Sequence, residues 1–166
     1  MLDPRHLVEL AQTLANARRA GAPRQVILRR AVSTAYYAVF HALCSAAAEM
    51  FVPANATESR SLFYRSLEHG KSKTRCEELA KDPLQGKPRK FFGIDAFGQE
   101  LRDFANAFVQ LQELRHLADY DPDYKLTMAQ AQQCVDDASD AIAKLGAAND
   151  AERRKFLAYM LFGIRT

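Results

Sequence analysis

At 166 residues the chain is long enough to bury one core, and its 48% apolar and 26% charged residues are ordinary for a globular protein. No run approaches 18 uninterrupted apolar residues, so no membrane span is expected, and the charges in "MLDPRHLVEL" come too early for a secretory leader. Cys44, Cys76 and Cys134 are odd in number and form no CxxC pair, which argues against a disulfide framework or a zinc knuckle and for a reducing cytoplasm. The net charge of +3 is uneven: residues 1–93 carry 15 Lys/Arg and 8 Asp/Glu, residues 94–166 carry 8 and 12. The basic half is suited to a polyanion or to the acidic half of a second copy; solvated faces are the plainer reading.

Trp is absent, Gly and Pro are few and Ala is abundant, a mix that favours helix over sheet. Asp3-Pro4 opens the first helix as N-cap and first-turn proline, and Leu7, Leu10, Ala11 and Leu14 follow at helical spacing. Gly21 stops it and Pro23 starts the next. The second helix spans residues 22–51. Leu28, Ala31, Ala35, Ala38 and Ala42 form a small-residue stripe, flanked by Ile27, Val32, Tyr36, Val39 and Leu43. A helix apolar over so much of its circumference is central in its bundle. A third helix, residues 57–80, bends at His69-Gly70 and carries the basic run "HGKSKTRC". Residues 82–94 hold two prolines and two glycines and read as a loop.

The fourth helix starts near Asp95 as N-cap, aligns Phe97, Leu101, Phe104, Phe108, Leu111 and Leu114, and ends near Tyr120, before Pro122. Thr127 and Gln130 have capping-box spacing and open the fifth helix, which Gly146 ends. Asn149 and Glu152 repeat that spacing before a last helix with Phe156, Leu157, Met160, Leu161 and Ile164. A membrane-surface role for this basic, apolar terminus is the lesser reading; docking on the bundle or on a partner chain is the greater. No strand-like alternation appears. The expectation is one domain over residues 1–166, an all-α antiparallel bundle of about five to six helices with its core over residues 3–145.

Arg115 lies four residues after Leu111 and seven after Phe108, in phase with the buried stripe. An arginine there either pairs with an acid, for which Asp119 is in place, or lines a cleft that admits an anion. The bland account is a cation near a helix C-terminus with an i, i+4 partner. The four histidines show no HExxH spacing and no Cys/His cluster, so no metal and no cofactor is expected, and His41 reads first as a satisfied core residue. No GxSxG elbow and no phosphate-cradling glycine loop is present. Lys71, Lys73 and Arg75 form a candidate nucleic-acid patch, set against the commoner solvated charge run.

The segment "RRAVSTAYYAVFHAL", residues 29–43, followed by "LRHLADYDP", residues 114–122, resembles the bacterial HEPN-domain family. The two segments cover 24 residues, and the helix layout extends the likeness over about residues 3–145. The resemblance implies an up-and-down helical bundle, commonly a homodimer. Members are metal-independent endoribonucleases, inactive RNA-binding or partner-binding modules, or toxins paired with a small nucleotidyltransferase antitoxin. It also implies a motif of arginine, a polar residue, then a histidine after four to six intervening residues. Arg115 and His116 match the first two places, whereas Tyr120, Asp121 and Pro122 stand where the histidine belongs. Cleavage needs a base for the ribose 2′-hydroxyl and an acid for the leaving oxygen. Tyrosine is a poor base near neutral pH, but it can donate a hydrogen bond or stack.

Two functions therefore stand side by side. One is an RNA-binding protein or endoribonuclease of a toxin–antitoxin or defence system, with Arg115 on the phosphate, His116 as acid/base, Tyr120 stacking, and Asp119, His41 and His69 in support. The other is a non-catalytic module that binds a partner protein, with Arg115, Asp119 and Tyr120 locking the helix. The geometry separates them: the first needs Arg115 and a histidine on one open cleft, the second an Arg115 sealed against Asp119.

Overall fold

The computed structural model describes residues 2–18, 20 and 22–164, without the side chains of residues 22 and 23. Eight helices occur among them: α1 (Pro4–Ala15), α2 (Ala22–Phe51), α3 (Thr57–Arg65), α4 (His69–Leu79), α5 (Gly86–Phe92), α6 (Gln99–Tyr120), α7 (Met128–Ala147) and α8 (Asp150–Phe162). No strand is present among the described residues, so the all-α class holds, with more helices than the five to six expected.

Helix α2 is the axis of the bundle and packs against α1, α3, α6, α7 and α8. The first expected stripe is inside, with Leu28, Ala31, Ala35, Ala38 and Ala42 buried; of the second, Val32, Tyr36, Val39 and Leu43 are buried and Ile27 is half-buried. Its length and composition alone would suit a membrane span, but 72% of its most apolar window is covered by the other helices. That apolar surface forms the core, where each fully covered large side chain contributes about 1.5–3 kcal/mol. Phe97, Phe104 and Phe156 meet edge to face at 5.9 and 6.0 Å and join α8 to the same core.

The helix boundaries follow local hydrogen bonding. Asp3 caps α1 through the Arg5 N–H, Thr127 and Gln130 close the expected capping box on α7, and α7 runs one residue past Gly146. Helix α1 ends at Ala15 with Asn16 as C-cap, short of the expected stop at Gly21, which itself lies outside the described residues. The expected helix 57–80 is two helices. The Ser66 hydroxyl donates back to the Leu62 carbonyl, Leu67 turns into the core, and extended Glu68 accepts the Ser72 N–H at 2.8 Å, so α4 restarts at His69.

The expected loop 82–94 contains α5. Its prolines and glycines bracket the helix: Pro88 falls in the first turn, where a missing N–H costs nothing, and Gly93 closes it in the left-handed region at φ 64°. Helix α6 starts at Gln99 and not at Asp95, because Asp95 bonds Arg89 at 2.9 Å and its carbonyl accepts the Leu84 N–H at 2.6 Å. Gly98 caps α6 and donates its N–H to Glu152 Oε2 at 2.8 Å. Asn149 caps α8 as expected, but Glu152 reaches across to α6 and does not close a box on Asn149. The starts of α6 and α8 are thereby tied together.

Candidate functional site

Helices α2 and α6 are joined by a polar ladder. On α2 its rungs recur every four residues, Gln25, Arg29, Ser33, Tyr37 and His41, a ridge in which each rung neighbours the next and which winds about 40° around the helix per step. Gln25 exchanges two hydrogen bonds with the backbone of Leu126, at 2.8 and 3.0 Å. The Arg29 guanidinium donates to the carbonyls of Ala118, Asp121, Pro122 and Tyr124, where α6 ends and the chain turns. The buried Ser33 hydroxyl donates to Asp119 Oδ1 at 2.5 Å. The Tyr37 hydroxyl accepts from Arg115 Nη2 at 2.9 Å. From Gln25 to Tyr37 the partner number falls from 126 to 115, along α6 and the turn that follows it, so the two helices run antiparallel across the site; the last rung, His41, bonds Tyr64 of α3 instead.

Arg115 is the junction of the site. Its Nε lies 2.7 Å from Asp119 Oδ2, the expected i, i+4 pair, and its guanidinium sits 5.5 Å from the Tyr37 ring centre and 5.4 Å from that of Tyr120. The side chain keeps 21% of its surface exposed, so Asp119 does not seal it. It lines an open pocket of about 470 Å³ with Lys73, Gln112, Glu113, His116 and Leu117. His116 is exposed and its ring centre stands 5.0 Å from that of Tyr120, which is 64% exposed. Arg115 and a histidine thus share one open cleft, although consecutive helix positions diverge by about 100°.

His41 and His69 stand on the other side of Tyr37. Tyr37 stacks on His41 at 6.3 Å between ring centres and meets the His69 ring edge-on at 5.8 Å. Each histidine is half-buried and holds a tyrosine through Nδ1: Tyr64 on His41 at 2.5 Å, Tyr36 on His69 at 2.6 Å. His69 also stacks on Phe40 at 3.8 Å. Burial pushes both imidazoles below their usual range, and the charge of Arg115 adds to the effect at His69. Burial raises the Tyr36 and Tyr64 hydroxyls, which therefore stay protonated and each share one hydrogen bond with the neighbouring imidazole.

This arrangement fixes an acid sensitivity. An imidazole whose folded pKa lies below its unfolded value near 6.5 binds fewer protons folded than unfolded. Its contribution to stability is fully present above pH 6.5 and is lost as the pH falls from there through the folded pKa. The thermal midpoint is expected to fall between pH 7 and pH 5, and His41→Gln/His69→Gln is expected to flatten that slope. A double variant with the wild-type slope would remove these rings as its cause.

The basic run does not form one patch. Lys71 is exposed and bonds Glu68 at 2.6 Å. Lys73 points to α6, where it meets Glu113 at 2.9 Å, and is the one of the three on the Arg115 pocket. Arg75 turns to α8 and donates to the Met160 carbonyl, and Gly163 beside it has φ 62°; a β-carbon there would stand 2.9 Å from Arg75 Nη2. Arg75 is a cap for α8. The three cysteines are buried free thiols, and no group of three metal-ligating side chains occurs among the described residues.

The sequence reading had no role for Arg29, Ser33 or Tyr37, although all three fall within the segment that carries the resemblance. Their signal was the repeat of polar residues every fourth position through an otherwise apolar helix. In comparisons with known proteins, no family model, no curated protein and no solved structure matches this chain.

Proposed function

We propose that the protein is a HEPN-like RNA-binding protein with the parts of a metal-independent endoribonuclease, in a toxin–antitoxin or defence setting. The observation that carries this reading is that Arg115, His116 and Lys73 line one open pocket beside the exposed ring of Tyr120. Arg115 holds a backbone phosphate by its guanidinium fork. His116 takes the proton of a ribose 2′-hydroxyl; that oxygen attacks the adjacent phosphorus, the bond to the 5′-oxygen breaks, and a proton returns to the leaving oxygen. The products are a 2′,3′-cyclic phosphate and a 5′-hydroxyl. Tyr120 stacks on a base. A homodimer through the helices carrying the motif brings two such pockets to one cleft, in the cytoplasm, with a nucleotidyltransferase as the antitoxin partner.

Arg115→Ala tests the reading in two ways, by titration with single-stranded RNA and by growth on induction. Weakened binding and loss of any toxicity are expected; an unchanged variant ends the proposal. Incubation of the wild type with total RNA, with and without a chelator, separates cleavage from binding alone.

A second reading has its own observation. Ser33, Asp119, Arg115 and Tyr37 form one connected network between α2 and α6. In a non-catalytic module that binds a partner protein, this network does nothing more than lock the end of α6.

A further inference from the structure

A second pocket, of about 400 Å³, opens on α3 and is lined by Thr57, Arg60, Ser61, Tyr64 and Arg65 together with Ala54. Its lining joins cationic and hydroxyl side chains, the donor types that bind anions. Neither arginine pairs with an acid among the described residues, and neither holds a backbone carbonyl as Arg29 and Arg75 do. Arg60 is half-buried, and its Nε is enclosed without a hydrogen-bond partner, as are those of Arg102, Arg115 and Arg153. Thr57 and Ser61 line the same pocket and bring a hydroxyl each. Two guanidinium groups and two hydroxyls give the donors that a phosphate's oxygens require.

This pocket is connected to Arg115. Tyr64 lines it and bonds His41 at 2.5 Å; the Tyr64 and His41 rings stack at 5.6 Å with 12° between planes; His41 stacks in turn on Tyr37, over which Arg115 sits. A row of partly exposed rings, Tyr37, His41 and Tyr64, thus has a cation at each end: Arg115 on α6, and Arg60 with Arg65 on α3. Aromatic platforms between cationic anchors are how proteins hold single strands, whose unpaired bases stack while the phosphates take the charges.

We infer that the α3 pocket is a second phosphate subsite, and that a single strand of RNA runs along the Tyr37–His41–Tyr64 row from Arg115 to Arg60 and Arg65. The inference rests on the proposed RNA-binding function and gives it a substrate class, an unpaired strand of several nucleotides.

The test is fluorescence anisotropy with a labelled single-stranded RNA of about ten nucleotides, titrated across a range of salt concentrations. Arg60→Ala/Arg65→Ala is expected to weaken binding at least about tenfold and to reduce the slope of log affinity against log salt by about 0.7 to 1.4, one to two phosphate contacts on a single strand. Arg60→Lys/Arg65→Lys is expected to restore most of that slope, which a purely structural role would not require. The unfolding midpoint of the Ala variant is expected to stay at the wild-type value, since neither side chain has a partner to lose. An unchanged slope in the Ala variant overturns the subsite; if Arg115→Ala still weakens binding, the Arg115 reading survives that failure. Equal affinity for a duplex of the same sequence overturns the single-strand assignment. A wild type that binds no RNA ends both.

Discussion

Arg29→Ala is expected to lower the free energy of unfolding by about 3 kcal/mol, the largest effect of any single polar substitution in the site. The guanidinium gathers four carbonyls, of Ala118, Asp121, Pro122 and Tyr124, in the stretch where α6 has run out of its own donors. Hydrogen bonds from a charged donor contribute about 1.5–3 kcal/mol each, but they share one side chain and do not add, and the outer carbonyls can turn to water. Urea unfolding would show a lower midpoint at an unchanged slope. Arg29→Lys should recover less than half, because an ammonium cannot span four acceptors from one planar fork. A loss below about 0.5 kcal/mol would mean that the turn holds itself. The substitution also reaches the site, since the last turn of α6 carries Asp119 and Tyr120.

Asp119→Asn should tighten RNA binding while Arg115→Ala weakens it, and this opposition separates the two functional readings. Asp119 and a phosphate compete for the same guanidinium, through a contact at 2.7 Å between side chains that are 21% and 18% exposed. A partly covered pair of this kind is worth about 1 kcal/mol, so its release corresponds to about fivefold in affinity. Loss of Arg115 itself should cost 10- to 100-fold and reduce the salt slope by about 0.7, one phosphate contact on a single strand. If the network only locks the helix, both substitutions destabilise and neither changes RNA affinity. Measuring unfolding and binding on the same samples distinguishes the outcomes. Arg115→Lys adds a further check: it keeps the charge but loses the fork that serves Tyr37 and Asp119 together, so it should retain the salt slope with weaker binding.

Much of the fold could be read because α2 and α7 carry long periodic stripes and strong start signals such as the Thr127–Gln130 box. The errors fell where local interactions override pattern. A helical period continues through Ser66, but Leu67 turns into the core and Glu68 takes an extended backbone, which breaks the run. Asp95 is a good cap by type, yet Arg89 claims its carboxylate and a glycine caps the helix with the aid of a glutamate 54 residues later. At the site, the phase of Arg115 against Phe108 and Leu111 and its pairing with Asp119 were both legible, since they are properties of one helix. The placing of His69 beside Tyr37 was not, because it depends on how α4 crosses α2. Arg75 misled for the same reason: its charge was visible, and its partner on α8 was not.

The ladder on α2 makes that helix a ruler. Rungs 25, 29, 33, 37 and 41 stay in line only while four residues separate them. Removing one residue between Arg29 and Tyr37 turns everything beyond the deletion by about 100° and leaves Arg115 facing an alanine or a valine in place of a phenol. Most residues of α2 can change to another of similar size with modest loss, but its length across this span cannot change at all. Insertions belong outside it, and the link between α3 and α4, which is already broken at Ser66, is where the chain has length to give.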